Sequence, residues 1–243
     1  MALVRDLGPE LARNAARHDA AGTFVAESFE LLREHGLLAL AVPTELGGLG
    51  ATLREVAAVQ AEIARHCSST ALASSMHQHV TAFTAWRYRR GLPGAEATLK
   101  RVADEGIVLV STGGGDLTDP KGEAVRDESG TGWRVSGRKA FASQSPAGTV
   151  MSTMFRYDDP ENGPRVLNMA VPLASPGVTV LDDWDPLGMR GTGSNTVVLD
   201  DVVVPDERVL AERPHGVVDP PLQTILTIAI PIISAVYLGT ATA

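Results

Sequence analysis

The spacing of apolar residues changes near Ile107, and this change limits the folds open to the chain more than any other feature. Before it, apolar residues recur every three or four positions, which predicts helices over 9–38, 52–66, 68–90 and 94–105. After it, apolar and polar residues alternate between turns rich in Gly, Pro, Asn and Asp. This alternation predicts strands over 107–111, 132–136, 138–143, 149–156, 165–171, 177–181 and 196–204.

The order of these elements predicts an α+β fold. We expect an N-terminal α-helical domain over residues 1–106 and a middle β domain over 107–217. Many short, evenly spaced strands are typical of an antiparallel barrel or sandwich, and they argue against a Rossmann domain. Near Pro220 the pattern becomes helical again, so residues 218–243 are expected to begin a further helical domain. Thr52 followed by Glu55 is a capping-box pattern, which predicts that the second helix starts just after Thr52.

Composition and charge argue against several classes of protein. The formal net charge is −8 and the pI is about 5.2, so a general nucleic-acid-binding surface is not expected. The single cysteine, Cys67, rules out an intramolecular disulfide framework and is typical of the reducing cytoplasm. Its expected role is that of a small buried side chain. Met1 to Ala20 is charged and lacks the apolar core of a signal peptide. We therefore expect a cytoplasmic protein that does not bind nucleic acid.

An uncharged segment of 17 residues, from Leu222 to Leu238, lies at the short limit of a membrane span. It contains Pro231, has no cationic flank and follows the turn at Pro220 and Pro221. A helix that is apolar all round is buried, and the features of this one favour burial in protein over burial in lipid. We therefore predict no membrane span.

A glycine turn and the strand that follows it carry the clearest sign of a ligand site. Ser111 and Thr112 precede Gly113–Gly115, where the lack of side chains would let a ligand approach the backbone. Phe141 and Ser143 are two residues apart on a predicted strand, so they are expected to point to one face. A ring and a hydroxyl on one face suit a flat ligand with polar edges. An ordinary β-hairpin with a loose loop explains the same residues.

Three stretches together resemble the acyl-CoA dehydrogenase family of flavoproteins. They are VPTELGGLGATLREVAAVQAEIARHCSSTALA at 42–73, SGRKAFAS at 136–143 and LGMRGTGSNTVVLDDVVVPDERVL at 187–210. The resemblance covers nearly the whole chain. It implies an N-terminal helical domain, a middle β-barrel domain and a C-terminal four-helix bundle, of which residues 218–243 would be the start. It also implies FAD held between the subunits of a homo-oligomer.

The same resemblance implies the residues of the site. The first flavin strand of the family falls on Leu109 to Gly115, in a version that is two residues shorter than usual. The implied FAD-binding residues are Leu109, Ser111, Thr112, Phe141, Ala142 and Ser143. Phe141 would cover the isoalloxazine ring, and Ser143 would donate a hydrogen bond near its N5 edge. Gly115 takes the place of a serine that contacts substrate in the family, so one polar contact to an acyl thioester is missing.

Two histidines on the third predicted helix are candidate site residues. His77 and His79 are two residues apart and do not share a helix face, so they do not suit a metal site, and no ligand cluster at suitable spacing completes one. His79 falls in line with Phe83 and Trp86, as a core or interface histidine would. A substrate-binding role for His79 is the alternative.

The family's catalytic base is a glutamate, and none can be assigned in this sequence. The family's Arg-Pro pair aligns with Ile230-Pro231, which places Ala229 at one of the two known positions of the base. Alanine cannot remove a proton. We therefore expect no catalytic residue within the chain, and we expect the chain to be a fragment, a truncated product or one half of a split enzyme. A partner would then supply the missing helical bundle.

Three functions follow from these observations. The first is FAD-dependent dehydrogenation of an acyl-CoA, with a separate electron acceptor. The second is a flavin-dependent monooxygenase of the same fold, which uses reduced flavin and oxygen on a small aromatic or heteroaromatic substrate, with a reductase as partner. The third is a non-catalytic scaffold or partner subunit.

Overall fold

A computed structural model of the chain describes residues 1–117 and 119–243. It confirms the α+β class, with helices first, a sheet in the middle and a helix at the end. Two compact units are present. The helical unit comprises Met1–Val108, Trp184–Gly193 and Thr224–Ala243, and the β unit comprises Leu109–Asp183 and Ser194–Gln223. The division into domains 1–106, 107–217 and 218–243 stays a prediction.

The helical unit is built from α1 (Ala2–Ala21), α2 (Ala26–Glu34), α3 (Leu53–His66), α4 (Ser68–Tyr88), α5 (Ala95–Glu105) and most of α7 (Pro220–Ala241). Its core contains the buried side chains of Leu11, Phe29, Leu32, Ile63 and Leu99. The predicted capping box is present: the Thr52 hydroxyl accepts from the Glu55 N–H, and the Glu55 carboxylate accepts from the Thr52 N–H at 2.8 Å. These bonds satisfy N–H groups that a helix start leaves without partners, so they fix where α3 begins.

The β unit contains one eight-stranded sheet. Its strands are β1 (Leu109–Ser111), β2 (Glu123–Arg126), β3 (Gly132–Ala142), β4 (Val150–Asp159), β5 (Gly163–Pro172), β6 (Val178–Val180), β7 (Asn195–Pro205) and β8 (Val209–Pro214). The order is β6-β7-β3-β2-β4-β5-β8, and β1 pairs with β4. The pairings β1–β4 and β2–β4 are parallel. The sheet is therefore mixed, and the prediction of a wholly antiparallel β-barrel domain was wrong on that point.

Three further differences from the predicted strands have local causes. Residues 132–136 and 138–143 form one strand, β3, because the register shift between Val135 and Gly137 places the extra residue on β7 and leaves β3 continuous. Two short strands, β2 and β8, were not predicted. The predicted glycine turn is a single helical turn, α6 (Gly113–Asp116), directly after β1.

Gly122 has a φ of 109°, and a Cβ there would lie 2.5 Å from the Ser136 carbonyl oxygen, so only glycine allows this approach of β2 to β3.

The long helix α7 contains the uncharged segment. Leu222, Ala229, Ile232 and Val236 are buried, and a Cβ on Gly239 would lie 2.1 Å from the Ala61 carbonyl oxygen, which brings α7 close to α3. Only 17% of its most apolar stretch is buried. In the part of the chain that the structure describes, α7 alone is long and apolar enough, by length and composition, to cross a membrane. That test does not separate a membrane helix from a helix packed against protein.

Candidate functional site

The end of β3 is distorted at Phe141. Lys139 pairs with Val197 and Ala142 with Asn195, so β3 carries one extra residue in this interval and forms a β-bulge. Phe141 has a φ of 59° and its side chain is 67% exposed. A bulky residue at positive φ is rare and costs about 1–3 kcal/mol. Such strain is found preferentially where a side chain has been positioned for function.

The bulge changes one prediction about the site. Phe141 and Ser143 were expected to share a face because side chains on a strand alternate. The extra residue interrupts that alternation, and β3 ends at Ala142, so Ser143 lies beyond the strand. The period-two argument for one shared face was therefore wrong. The predicted site residues nonetheless lie at the end of β3 and in the loop that follows it.

Gln144 connects this end of β3 to β1. Its buried side chain donates from Nε2 to the Leu109 carbonyl oxygen at 2.9 Å. The predicted residues of β1 (Leu109, Ser111) and of the end of β3 are thus brought together. The other side-chain atom of Gln144, Oε1, is buried and has no hydrogen-bond partner among the residues that the structure describes. A buried acceptor without a partner is costly, and it suits an N–H donor supplied by a ligand.

Hydroxyl groups line both segments. The Ser143 Oγ lies 2.8 Å from the Ser194 Oγ, and the Thr112 Oγ1 lies 2.7 Å from the Thr153 Oγ1. Ser111 and Thr112 are buried, as is Ser194. Ser194 and Thr153 had no predicted role. Only the position of Ser194 in the conspicuous 187–210 stretch marked it, and nothing in the sequence marked Thr153.

A buried ion pair lies under the glycine turn. Lys139 Nζ donates to Asp116 Oδ2 at 2.8 Å and to the carbonyl oxygens of Lys121 and Met154. Both charged side chains are buried. Burial lowers the pKa of Lys139, and the neighbouring Asp116 carboxylate opposes that shift. Asp116 is therefore committed to this contact.

Gly114 and Gly115 are open to their surroundings. No atom lies within 4 Å of the Cβ position that a side chain would occupy at either residue, and neither has a positive φ. Packing and backbone geometry in the chain therefore do not require glycine here. Glycine within a helical turn costs roughly 1 kcal/mol relative to alanine. The missing side chains leave room beside the predicted flavin residues, at the position where the resemblance implies a substrate contact for Gly115.

His79 belongs to the helical unit, and its substrate-binding role stays a prediction. Its ring is buried, with Nδ1 3.1 Å from the Ser75 carbonyl oxygen. Burial lowers the pKa of His79 to about 4, and His77 shows the same shift for the same reason. Both imidazoles are therefore neutral at pH 7. This agrees with the interpretation of buried core histidines.

Across residues 1–117 and 119–243, no cluster of three or more His, Cys, Asp or Glu side chains is placed to hold a metal ion. A surface groove of about 1040 Å³ is lined by Trp133, Tyr157 and residues of β2 and β4. None of the predicted flavin residues lines it. Trp133 is buried under Arg126, so the groove offers no open aromatic face.

Family comparisons cover both units. The model for the acyl-CoA dehydrogenase N-terminal domain matches residues 4–89, and the model for the acyl-CoA dehydrogenase middle domain matches residues 111–202. The second match includes α6, the end of β3 and the predicted flavin residues other than Leu109. These matches agree with the three stretches that suggested the family.

Several relatives are nitrososynthases. The chain is 35% identical over 217 residues to L-evernosamine nitrososynthase of Micromonospora sp., covering 86% of this chain and 50% of the relative. It is 31% identical over 245 residues to amino sugar nitrososynthase DnmZ of Streptomyces peucetius, covering 97% and 58%. It is 30% identical over 225 residues to putative acyl-CoA dehydrogenase YdbM of Bacillus subtilis, covering 86% and 55%. The chain thus spans between 50% and 58% of the length of these relatives.

Solved structures give the same grouping. The nitrososynthase from Micromonospora carbonacea var. africana superposes with a TM-score of 0.90 at 31% identity, covering 99% of this chain and 62% of that one. KijD3, solved with FMN and dTDP-3-amino-2,3,6-trideoxy-4-keto-3-methyl-D-glucose, superposes with a TM-score of 0.89 at 33% identity, covering 99% and 61%. TdsC from Paenibacillus sp. A11-2, solved with FMN and indole, has a TM-score of 0.86 at 26% identity, covering 99% and 61%.

Proposed function

Because this chain belongs to the acyl-CoA dehydrogenase family of flavoproteins through its N-terminal and middle domains, we propose that it is the flavin-binding part of an FMN-dependent monooxygenase. The proposed substrate is a small molecule with an amine nitrogen that accepts the oxygen, an amino sugar being the first candidate. This takes up the flavin monooxygenase alternative, with an amine in place of the small aromatic substrate.

The proposed cofactor is FMN in place of the FAD that was first expected. The residues at the site suit a flavin: an exposed ring at Phe141, hydroxyls at Ser143 and Thr112, and the buried acceptor Gln144 Oε1 without a partner. An isoalloxazine ring has a flat face, several acceptors and a ring N–H donor. The choice of FMN draws support from KijD3 and TdsC, whose structures contain it.

The residues of the chain would hold and orient this group. Phe141 would cover one face of the ring, and the paired hydroxyls of Ser143 and Ser194 would donate hydrogen bonds at its edge. Donors fixed in advance stabilise charge that develops during a reaction without the cost of reorganisation. A bound, reduced flavin would supply two electrons and activate dioxygen, so that one oxygen atom goes to the amine nitrogen and the other leaves as water.

The observation that carries the proposal is the open space at Gly114 and Gly115. By the family resemblance, a serine at this place contacts the acyl thioester, and the chain has no side chain there. The nearby carboxylate, Asp116, is paired with Lys139 and is unsuited to remove a proton. The similarity to nitrososynthases at 31–35% identity supports the same choice. Acyl-CoA dehydrogenation thus becomes the second candidate.

The proposed function also implies protein partners and a cytoplasmic location. A monooxygenase that takes up reduced flavin needs a reductase as partner, and the flavin site of the family lies between subunits, so a homo-oligomer is proposed. A partner that supplies a helical bundle would complete the flavin site in the same way. The buried free thiol of Cys67 is compatible with the cytoplasmic location that was expected.

Flavin titration and turnover test the proposal. The protein is titrated with FMN and with FAD, and binding is followed by flavin fluorescence. We expect tighter binding of FMN. Reduced FMN is then supplied by a flavin reductase in the presence of oxygen and a dTDP-linked amino sugar, and product is detected by mass spectrometry as an increase of one oxygen atom. In parallel, an anaerobic sample with bound oxidised flavin is mixed with a panel of acyl-CoAs.

The two candidate functions give opposite results. The monooxygenase proposal predicts oxygenated amine and no bleaching of the flavin band by acyl-CoAs. Bleaching by a thioester, together with no oxygenated product, would establish the dehydrogenase instead. Absence of flavin binding would overturn both and leave the scaffold interpretation.

A further inference from the structure

We propose that Lys139 is a positioning residue that fixes both segments of the flavin site, the glycine turn and the bulge that carries Phe141. This inference rests on the proposed function, because it concerns the same site. Lys139 had no role in the sequence-based interpretation, and the resemblance that suggested the site residues did not assign it one.

The surroundings of Lys139 account for all three of its donors. An ammonium group has three N–H donors and no acceptor. Here they are directed to Asp116 Oδ2 and to the carbonyl oxygens of Lys121 and Met154. The ammonium nitrogen also lies 4.5 Å from the centre of the Phe155 ring. A buried charge with every donor satisfied has one defined position, so the atoms bonded to it are fixed relative to β3.

Asp116 carries this constraint into the glycine turn. Its Oδ1 accepts from the Lys121 N–H at 3.0 Å, and its Oδ2 accepts from the Thr112 hydroxyl at 3.4 Å. Thr112 in turn lies 2.7 Å from the Thr153 hydroxyl on β4. The two ends of the segment from Thr112 to Lys121 are therefore bonded to one carboxylate. The glycines between them lack side chains and depend on this anchoring for a defined path.

Lys139 is also the last residue in register before the bulge. It pairs with Val197, and the extra residue of the bulge follows it, with Phe141 at a φ of 59°. A strained backbone persists only when its surroundings hold it in place. The side chain of Lys139 is anchored to β4 through Met154 and to the turn through Asp116. The start of the bulge and the turn are thus held by the same group.

Stability alone is a weak reason for this arrangement. Removing two charges from water costs several kcal/mol, and buried ion pairs are often replaced by apolar residues without loss of stability. The surrounding sheet core is apolar and includes Val171, Met151 and Phe155. An ion pair placed between two segments of a ligand site, in an otherwise apolar core, is better explained by the geometry that it imposes.

The test uses the complete protein and measures FMN affinity together with the visible circular dichroism of bound FMN. Lys139→Met combined with Asp116→Asn removes both charges and keeps an acceptor for the Lys121 N–H. Lys139→Arg keeps the charge in a planar group that cannot place its donors on the same three oxygens. Val204→Ala is the control, because it opens a cavity in the same sheet core opposite Trp133, at the end of the β3–β7 pairing far from the bulge.

We expect the double variant to fold, to bind FMN about tenfold more weakly or worse, and to show an altered visible circular dichroism at saturation. Lys139→Arg should give the same changes to a smaller degree. Val204→Ala should unfold more easily than the wild type yet keep the affinity and the spectrum of bound FMN. The spectrum reports how the ring is held, so a general loss of stability does not reproduce the expected result.

Wild-type affinity and spectrum in the double variant would overturn the role of Lys139. If the double variant does not fold, unchanged values in Lys139→Arg would overturn it equally. A wild-type protein that binds FMN but does not oxygenate an amine refutes the proposed function. The role of Lys139 is then still decided by the FMN affinity and the visible circular dichroism of the variants. A wild type that binds no flavin refutes both.

Discussion

Phe141 combines a strained backbone with an exposed side chain, so it contributes little to the stability of the fold. The residue has a φ of 59° and gains little from burial, since 67% of its side chain is exposed. Glycine removes the steric cost of positive φ but increases the flexibility of the unfolded chain. We expect Phe141→Gly to raise the free energy of unfolding by about 0.5–1 kcal/mol and to weaken FMN binding. Urea unfolding and FMN titration of the same sample measure both effects.

Asp201 offers a matched control for Phe141. It also has a positive φ, 55°, and lies exposed at a register shift of the β3–β7 pairing, in an ion pair with Arg134. Aspartate tolerates this conformation better than phenylalanine, so Asp201→Gly should change stability by only a few tenths of a kcal/mol. It should leave FMN binding unchanged. If Phe141→Gly binds FMN as the wild type does, Phe141 does not cover the flavin ring.

Sequence alone suggested candidate residues for the site but not how they are held. Ser111, Phe141 and Ser143 were identified by residue type and by resemblance. Lysine is usually a surface residue, so the sequence gives no sign that Lys139 is buried. Its burial depends on the ion pair with Asp116, a residue that is distant along the chain. The bulge at Phe141 depends likewise on the register between β3 and β7. Interactions of this kind are properties of the assembled sheet.

Among the elements, those with local signals were predicted best. The start of α3 was placed correctly because the bonds between Thr52 and Glu55 are made within four residues. The long strands β4, β5 and β7 were found because one side of each is buried and their residues alternate. By contrast, β2 buries only Ala124 and β8 is mostly half-buried, so neither shows a clear alternation. Such strands are stabilised by their neighbours in the sheet.

The helix start at Thr52 gives a prediction for an element. Thr52→Ala removes the hydroxyl that accepts from the Glu55 N–H. Loss of such a cap costs about 1 kcal/mol, because an N–H group at the helix start loses its partner. We expect unfolding of the helical unit at lower urea concentration. Thr98→Ala on α5 is the control, since its hydroxyl bonds to the Gly94 carbonyl within the helix, and its loss should have little effect. Equal effects of the two variants would contradict the capping role.

For the whole molecule, the response to pH follows from its buried imidazoles. His77 and His79 are buried on α4, and His77 Nε2 lies 2.8 Å from the Leu38 carbonyl oxygen. Burial lowers the pKa of each from 6.5 to about 4, with smaller contributions from Arg33 at His77 and from His77 at His79. Several carboxylates, Glu27, Asp127 and Asp183 among them, also have lowered pKa values. These carboxylates lose their contribution to stability as the pH falls below their ordinary values of 4.5 for glutamate and 3.8 for aspartate, so they act at the lower end of the histidine range and below it.

The direction of the effect follows from where protons bind. Between pH 6.5 and about 4 the unfolded chain protonates these histidines and the folded chain does not, so stability falls as the pH falls through this window. Above pH 6.5 the two histidines no longer contribute to the pH dependence. One pKa unit corresponds to about 1.4 kcal/mol, and a loss on the order of a few kcal/mol is expected between pH 7 and pH 4. Urea unfolding across this range measures it.

Two variants separate the histidines from the rest of the chain. His77→Gln combined with His79→Gln removes both imidazoles and keeps side chains that can hydrogen-bond, so the fall in stability between pH 6.5 and 4 should become shallower, even if the variant is less stable at pH 7. His35→Gln removes an exposed histidine and should keep the wild-type dependence. A double variant with the wild-type slope would mean that the carboxylates alone set the response to acid. A wild type with constant stability down to pH 5 would mean that His77 and His79 are not kept neutral by burial.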